Sequence, residues 1–210
     1  MYRLALALPV VALVALAFAQ PVSAASTSTV SDPSGDAFFD GTPLPGPGYQ
    51  DIVQATVTSE GSNFTFVMDV ADPIPSNPTL PPGIQVLMWN FTLNTNPASA
   101  PKGYPFAPGN AAPGEYLVMV VWDGTAFRAS LVDRTSLLTG GQATVTDLSF
   151  SFNAERTEVT LSTGATMIGS PSTFQWRAIT HQWAAFLGAS AFFLVDTAPA
   201  PGLWASWPEE

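Results

Sequence analysis

Apolar and polar residues alternate along most of the chain beyond residue 51. The alternation runs through 52–58, is interrupted by turn-forming residues at 60–63, and resumes through 64–70. A period of two residues is typical of a strand with one buried face. These two segments therefore predict a β-hairpin that starts just after Asp51.

The longest predicted strand, 84–94, has large apolar side chains on both faces near its start, which favours a central position in a sheet. Two segments rich in Pro and Gly, 72–82 and 94–114, predict loops because proline cannot take part in a strand ladder. Further strands are predicted at 115–122, 126–132, 143–152, 157–162, 174–183 and 189–195. With about nine strands and no capped helical pattern, the chain is predicted to be all-β, a two-sheet antiparallel β-sandwich.

Residues 1–24 have the pattern of a cleaved secretory signal peptide. Arg3 precedes an apolar run over residues 4–18, and Val22-Ser23-Ala24 supplies small residues before a predicted cleavage site. The run is shorter than the roughly 20 residues of a spanning helix, so a membrane anchor is the weaker alternative. The mature chain, 25–210, is predicted to be one domain without a transmembrane anchor, and to be secreted, extracellular or periplasmic.

The charge of the mature chain limits its partners. Cleavage would remove Arg3 and none of the 16 acidic residues, which changes the formal net charge from −10 to −11. Such a surface repels nucleic acids and anionic membranes, so divalent cations and neutral small ligands are the expected partners. The chain has no Cys, which excludes disulfides and thiolate metal sites.

Carboxylates are concentrated in the loop that precedes the first predicted strand. Asp32 and Asp36 flank Pro33-Ser34-Gly35, Asp40 follows, and Asp51 ends the loop. Calcium prefers six to eight hard oxygen ligands, which Asp-rich loops supply, whereas Mg²⁺ needs near-octahedral geometry. The loop therefore predicts a calcium site; the alternative is a solvated turn, because Asp, Pro and Gly also form turns.

The chain resembles secreted β-sandwich modules of the DOMON and family 9 carbohydrate-binding type, including the C-terminal module of glucodextranase-like enzymes. The resemblance rests on short motifs that together span most of the mature chain: Asp-Pro-x-Gly-Asp at 32–36, Asp51-Ile52, 93–97, 114–116, 159–169, 174–178 and 196–199. It implies binding of sugars or other small ligands, structural calcium held by Asp32, Asp36 and Asp51 with a contribution from Asp196, and haem binding in some relatives. Asn94 and Asn96 stand where relatives tend to have Asp, which weakens any second ion site there.

Aromatic side chains outside the predicted strand interiors are the candidates for stacking on sugar rings. Trp89 shares an apolar strand face and is assigned to the core instead. The candidates lie next to a turn, in the second long loop or in the C-terminal tail: Trp122, Tyr104, Phe106, Trp204 and Trp207. The alternative for a tail Trp is packing against a sheet edge.

No arrangement of residues in the sequence predicts catalysis. His181, the one histidine, follows Arg177 and Ile179 on a strand face, with no nucleophile-elbow motif nearby. Haem ligation would need His181 with Met68, Met88 or Met119, which are better explained as core residues. The strand acids Asp69, Asp147 and Glu158 are not expected to pair as glycosidase carboxylates would. The expected function is thus non-catalytic binding, with a structural or cell-surface interaction protein and a small glycanase as alternatives.

Overall fold

The alternating segments form the strands of two antiparallel sheets, which pack face to face as an all-β sandwich. The structure is a computed structural model that describes residues 25–38, 44–96, 114–186 and 189–209. The predicted signal peptide therefore lies outside the described residues. Helical structure in the described part is limited to short 3-10 turns at Gly48–Gln50, Thr135–Thr139 and Ala165–Ile168.

The strands are β1 Ser26–Ser31, β2 Ile52–Glu60, β3 Asn63–Val70, β4 Ile84–Asn94, β5 Tyr116–Trp122, β6 Phe127–Asp133, β7 Thr144–Asp147, β8 Phe150–Phe152, β9 Glu158–Gly164, β10 Phe174–Phe186, β11 Ala189–Ala198 and β12 Ala205–Trp207. The five-stranded sheet has the order β1-β2-β3-β9-β8, and the seven-stranded sheet has the order β11-β10-β4-β5-β6-β7 with β12 paired to β10. The central position predicted for 84–94 is confirmed, since β4 lies between β10 and β5.

The predicted hairpin at 52–70 is formed by β2 and β3. Glu60 pairs with Asn63, which leaves Gly61-Ser62 as a two-residue loop. Gly61 has a φ of +61°, a backbone conformation that glycine adopts without steric cost and that tight hairpin turns require.

The core lies between the facing sides of the two sheets. Side chains from alternate positions of β3 and β4 meet there, and Phe66 contacts Phe91 with ring centroids 5.3 Å apart. Trp89 and Trp176 are almost completely buried. This packing confirms the assignment of Trp89 to the core.

The count of about nine strands was too low, because twelve are present in the described part of the chain. Strand β1 was missed because its sequence STSTVS has almost no apolar residues to alternate. The segment predicted as one strand at 143–152 is two short strands, β7 and β8, which belong to different sheets. The tail also contains β12, whose partner is distant in sequence.

The proline-rich segment 72–82 is a loop, as predicted. It is anchored by Ile74, which is completely buried and whose backbone N–H donates to the carbonyl of Arg156. Within the ranges that the structure describes, no helix has the length and apolar character needed to cross a membrane.

Candidate metal centre and ligand-binding surfaces

The acidic loop begins where β1 ends and returns to the same end of β2. The backbone N–H of Asp32 donates to the carbonyl of Val53, which holds the start of the loop against β2. The turn at Gly35 has a φ of +88°, and the Gly35 N–H donates to Oδ2 of Asp51 at 2.6 Å. Asp51 therefore fixes the turn that carries Asp32 and Asp36.

Asp196 reaches the same place from β11, the edge strand of the other sheet. Its Oδ2 accepts the Ile52 N–H at 2.6 Å, and its Oδ1 accepts the Thr197 N–H at 2.7 Å. The side chain is only 7% exposed. These two hydrogen bonds hold the carboxylate in one orientation at the junction of the two sheets.

Asp32, Asp36 and Asp196 form the acidic cluster. Each offers a carboxylate oxygen that lies within 4.8 Å of the oxygens of the other two. Asp51 lies beside these three residues and accepts the hydrogen bond from Gly35 in the turn between Asp32 and Asp36. Asp40 falls outside the described residues. The structure thus brings together three of the five carboxylates expected at the metal site, two from the loop and one from a strand distant in sequence.

Two buried oxygens at this place have no hydrogen-bond donor among the described residues. They are Oδ2 of Asp32 and Oδ1 of Asp51, and Asp51 is only 4% exposed. A buried carboxylate oxygen without a donor is costly, because desolvation is not offset by a hydrogen bond. Such oxygens are what a bound cation would satisfy.

The electrostatics of the acidic cluster are those of like charges held close together. Burial, together with the negative charges of Asp36 and Asp51, raises the pKa of Asp32 to about 6. Burial raises the pKa of Asp196 to about 7, although hydrogen bonds from Ile52 and Thr197 favour its ionised form. Without a cation, the raised pKa values of Asp32 and Asp196 bring their protonation close to neutral pH. A bound cation would stabilise the ionised forms.

Two of the aromatic candidates for ligand binding are core residues, which corrects the prediction. Trp122 is 4% exposed and packs against Phe127 with ring centroids 4.8 Å apart. Trp207 is 8% exposed because β12 pairs with β10 and turns the ring onto Phe174 and Phe64. Both rings are therefore largely buried, although Trp207 also forms part of the wall of a surface cleft.

Trp204 is the tail aromatic that remains partly exposed, and the guanidinium of Arg177 lies 5.8 Å from its ring centroid. Tyr104 and Phe106 lie outside the described residues. A cleft of about 290 Å³ lies where β12 pairs with β10. The sequence did not predict it. It is lined by Thr95, Thr173, Phe174, Gln175, Ser206, Trp207, Pro208 and Glu209.

Asp69 and Glu158 do not stand alone, contrary to the prediction. They are paired opposite each other on β3 and β9. Burial raises the pKa of Asp69, and the charge of Glu158 adds to the increase. Glu158 accepts a hydrogen bond from the Thr160 hydroxyl at 3.0 Å. The sequence separation of about 90 residues concealed this pair, because pairing of β3 with β9 is a property of the sheet order.

His181 is buried on the outward face of the seven-stranded sheet. Its Nδ1 lies 3.1 Å from Oδ1 of Asn90. Burial, together with the positive charge of Arg177, lowers the pKa of the imidazole to about 4. His181 is therefore neutral at physiological pH.

Comparison with known proteins does not identify this chain. No protein-family model matches it, and no curated protein matches it. The structure thus defines the class, an antiparallel β-sandwich with an acidic cluster at the junction of its sheets, and the resemblance to DOMON-type modules stays a prediction.

Proposed function

We propose that this chain is an exported, calcium-stabilised β-sandwich that binds carbohydrate and performs no catalysis. The proposal has three separable parts: the ion, the ligand and export. The main support for the proposal is the acidic cluster, together with two buried oxygens, Oδ2 of Asp32 and Oδ1 of Asp51, that accept no hydrogen bond from the described residues.

Calcium fits this donor set better than other common cations. The ligands on offer are all hard carboxylate oxygens, and no Cys is present in the chain. Hard oxygen ligands favour Ca²⁺ or Mg²⁺ over zinc or copper, and Ca²⁺ tolerates the irregular geometry of a loop and a strand end. An ion held by Asp32, Asp36 and Asp196 would fasten the loop after β1 to β11 of the opposite sheet.

Calcium titration by isothermal calorimetry tests the ion. We expect one Ca²⁺ per chain in the wild type. Binding should be clearly weaker in Asp36→Asn, because the amide keeps an oxygen ligand but loses the negative charge, and unchanged in the matched control Asp147→Asn. Asp147 is exposed on β7 and lies outside the acidic cluster. No heat in the wild type, or equal binding by both variants, would rule out this site.

The carbohydrate part is supported by the partly exposed Trp204 beside Arg177 and by the cleft next to β12. A partly exposed indole can stack on a sugar ring, and the polar side chains that line the cleft, Gln175 and Ser206 among them, can hydrogen-bond its hydroxyls. A glycan array with the folded protein is the first test, followed by Trp204→Ala, which we expect to weaken any binding found. A blank array with correctly folded protein would remove this part and leave the calcium part intact.

Export is tested separately by expressing the whole chain in a secreting host. The small residues before Ala25 predict a mature protein whose N-terminus is Ala25. Intact mass measurement of the secreted product gives the cleavage point directly. Retention of residues 1–24 on the secreted protein would contradict the predicted cleavage.

A small glycanase is the second candidate, and the Asp69–Glu158 pair favours it. Retaining glycosidases use two carboxyls about 5–5.5 Å apart, one with a raised pKa as the acid. Directly opposed cross-strand residues have Cβ atoms about 4.5–5.5 Å apart, which places the two side chains within reach of each other. A reducing-sugar assay on a polysaccharide panel tests it: activity lost in Asp69→Asn and Glu158→Gln would establish the enzyme, and no activity in the wild type would exclude it.

A further inference from the structure

Strand β11 forms one edge of the seven-stranded sheet, and its sequence is unusually apolar for an edge. Its ladder partner in the described sheet is β10, on one side. Residues 189–195, ASAFFLV, contain no charge and no proline, and 191–194 are partly exposed. The backbone groups along the open side of an edge strand are a template for a further strand, so such an edge needs a cover.

The acidic loop covers this edge at Val195. The backbone N–H of Phe38 donates to the carbonyl of Val195 at 2.9 Å. Phe38 also forms an isolated antiparallel bridge with Pro45, and the N–H of Gly46 donates to the carbonyl of Ala37 at 2.8 Å. These two short pieces of the loop therefore pair with each other and extend the sheet beyond β11.

The contact between the loop and β11 leaves no room for a side chain at Gly46. A Cβ atom at Gly46 would lie 2.6 Å from Cγ1 of Val195 and 3.2 Å from Cβ of Ala37. Ala37 and Val195 are each only 3% exposed. A larger residue at Gly46 would therefore push the loop and β11 apart.

The acidic cluster adjoins both partners of this contact. Asp36 precedes Ala37 in the loop, and Asp196 follows Val195 in β11. Their carboxylate oxygens and that of Asp32 lie within 4.8 Å of one another. When the three are ionised and no cation is present, their repulsion acts to separate the loop from β11, whereas a cation would hold them together.

We propose that Ca²⁺ at the acidic cluster controls self-association through the edge of β11. With the ion bound, the loop covers the edge; without it, the loop lifts and β11 pairs with β11 of a second copy of this chain. The inference rests on the calcium part of the proposed function.

A second copy fits the uncovered edge because it brings the same uncharged strand. Antiparallel pairing of two identical edges is closed by a two-fold axis and adds main-chain hydrogen bonds between the copies. Pairing centred on Phe192 keeps the two Asp196 side chains at opposite ends of the paired segment. Like charges are therefore not brought opposite each other, despite the formal net charge of −10 of each chain.

Size-exclusion chromatography with light scattering, in mildly alkaline buffer with Ca²⁺ or EDTA, tests the inference. We expect the wild type to be a monomer with Ca²⁺ and a dimer in EDTA, reversed by adding Ca²⁺. Gly46→Val displaces the loop without changing a carboxylate, so it should be a dimer in both buffers. The matched control Gly164→Val should behave like the wild type, because Gly164 has a φ of −70° and its Cβ would lie 3.8 Å from the nearest atom.

A charge on the edge identifies β11 as the contact. Ala191 is partly exposed, and lysine on an edge strand opposes pairing. Ala191→Lys should therefore restore the monomer, both in the Gly46→Val background and in otherwise wild-type protein in EDTA. The second comparison decides the matter if Gly46→Val does not fold, which near-UV circular dichroism shows.

A folded Gly46→Val that stays monomeric would overturn the proposal, as would a dimer that survives Ala191→Lys. Wild type that binds Ca²⁺ in calorimetry but remains a monomer in EDTA would overturn control by calcium. Absence of Ca²⁺ binding would instead overturn the calcium part of the proposed function, and Gly46→Val would still decide whether the loop covers the edge.

Discussion

The backbone N–H of Ile52 donates a 2.6 Å hydrogen bond to Oδ2 of Asp196, although 144 residues separate them in sequence. Ile52 is the first residue of β2 in the five-stranded sheet, and Asp196 lies on β11 in the seven-stranded sheet. This bond joins the two layers at the point where the acidic cluster forms. It gives Asp196 a structural role that does not depend on an ion.

Removal of the Asp196 carboxylate is expected to destabilise the fold even without calcium. In Asp196→Ala the Ile52 N–H becomes a buried donor without an acceptor, which costs about 1–3 kcal/mol. Asp36 is exposed, so Asp36→Asn in EDTA should lie within about 0.5 kcal/mol of the wild type. Urea unfolding in EDTA measures both. Equal destabilisation by the two variants would mean that the Ile52–Asp196 bond contributes nothing.

The stability of the calcium-free protein should fall as pH rises from about 5 to 8. The pKa values of Asp32 and Asp196 are raised to about 6 and about 7, whereas carboxyls in the unfolded chain titrate near 4. Between these values the folded state holds more protons than the unfolded state, so deprotonation on raising the pH costs stability. Melting in EDTA at several pH values should show this decline. A flat or rising profile would contradict the raised pKa values.

Excess calcium should reverse that trend. An ion that binds only the folded state stabilises it by mass action, and it binds ionised carboxylates in competition with protons. The increase in melting temperature on adding Ca²⁺ should therefore be largest near pH 8 and small near pH 5. An increase of the same size at both pH values would place the ion at ligands other than Asp32 and Asp196.

Gln50 is expected to contribute strongly to stability, because its buried side-chain amide links the 3-10 turn before β2 to β10. Its Nε2 donates to the His181 carbonyl at 3.0 Å, and its Oε1 accepts from Nε2 of Gln182 at 2.9 Å. Gln50→Leu leaves both partners buried and unpaired, so we expect a loss of about 2 kcal/mol or more. Gln85→Leu, at an exposed position of β4, is the matched control for urea unfolding. A loss of similar size in the control would show that the network is unimportant.

The two tail tryptophans should behave differently. Trp207 packs between Phe174 and Phe64, and its Nε1 donates to the Ser26 carbonyl at 3.2 Å, so Trp207→Ala should cost about 3–5 kcal/mol. Trp204 contacts Arg177 through its ring face, so Trp204→Ala should cost about 0.5–1 kcal/mol. Thermal melts of the two variants measure the difference. Similar small losses would mean that β12 does not complete the core.

Several strands that the sequence predicted are present because their patterns are local. Residues 52–70 alternate in polarity and contain a Gly suited to a tight turn, and the hairpin is found there with nearly the predicted bounds. The split of 143–152 into β7 and β8 was not predictable in this way. Both halves alternate in the same manner, and only the position of the two sheets decides that the chain crosses between them at 148–149.

By itself, the sequence determined that this protein is an acidic, cysteine-free all-β chain with an Asp-rich loop before its main hairpin, because composition and period-two alternation act through neighbouring residues. The tertiary structure decided which distant side chains meet. It placed Asp196 with Asp32 and Asp36, Glu158 opposite Asp69, and Met88 opposite His181. These contacts depend on strand order and register, which follow from how the two sheets bury their apolar faces against each other. No single segment of the chain encodes that arrangement.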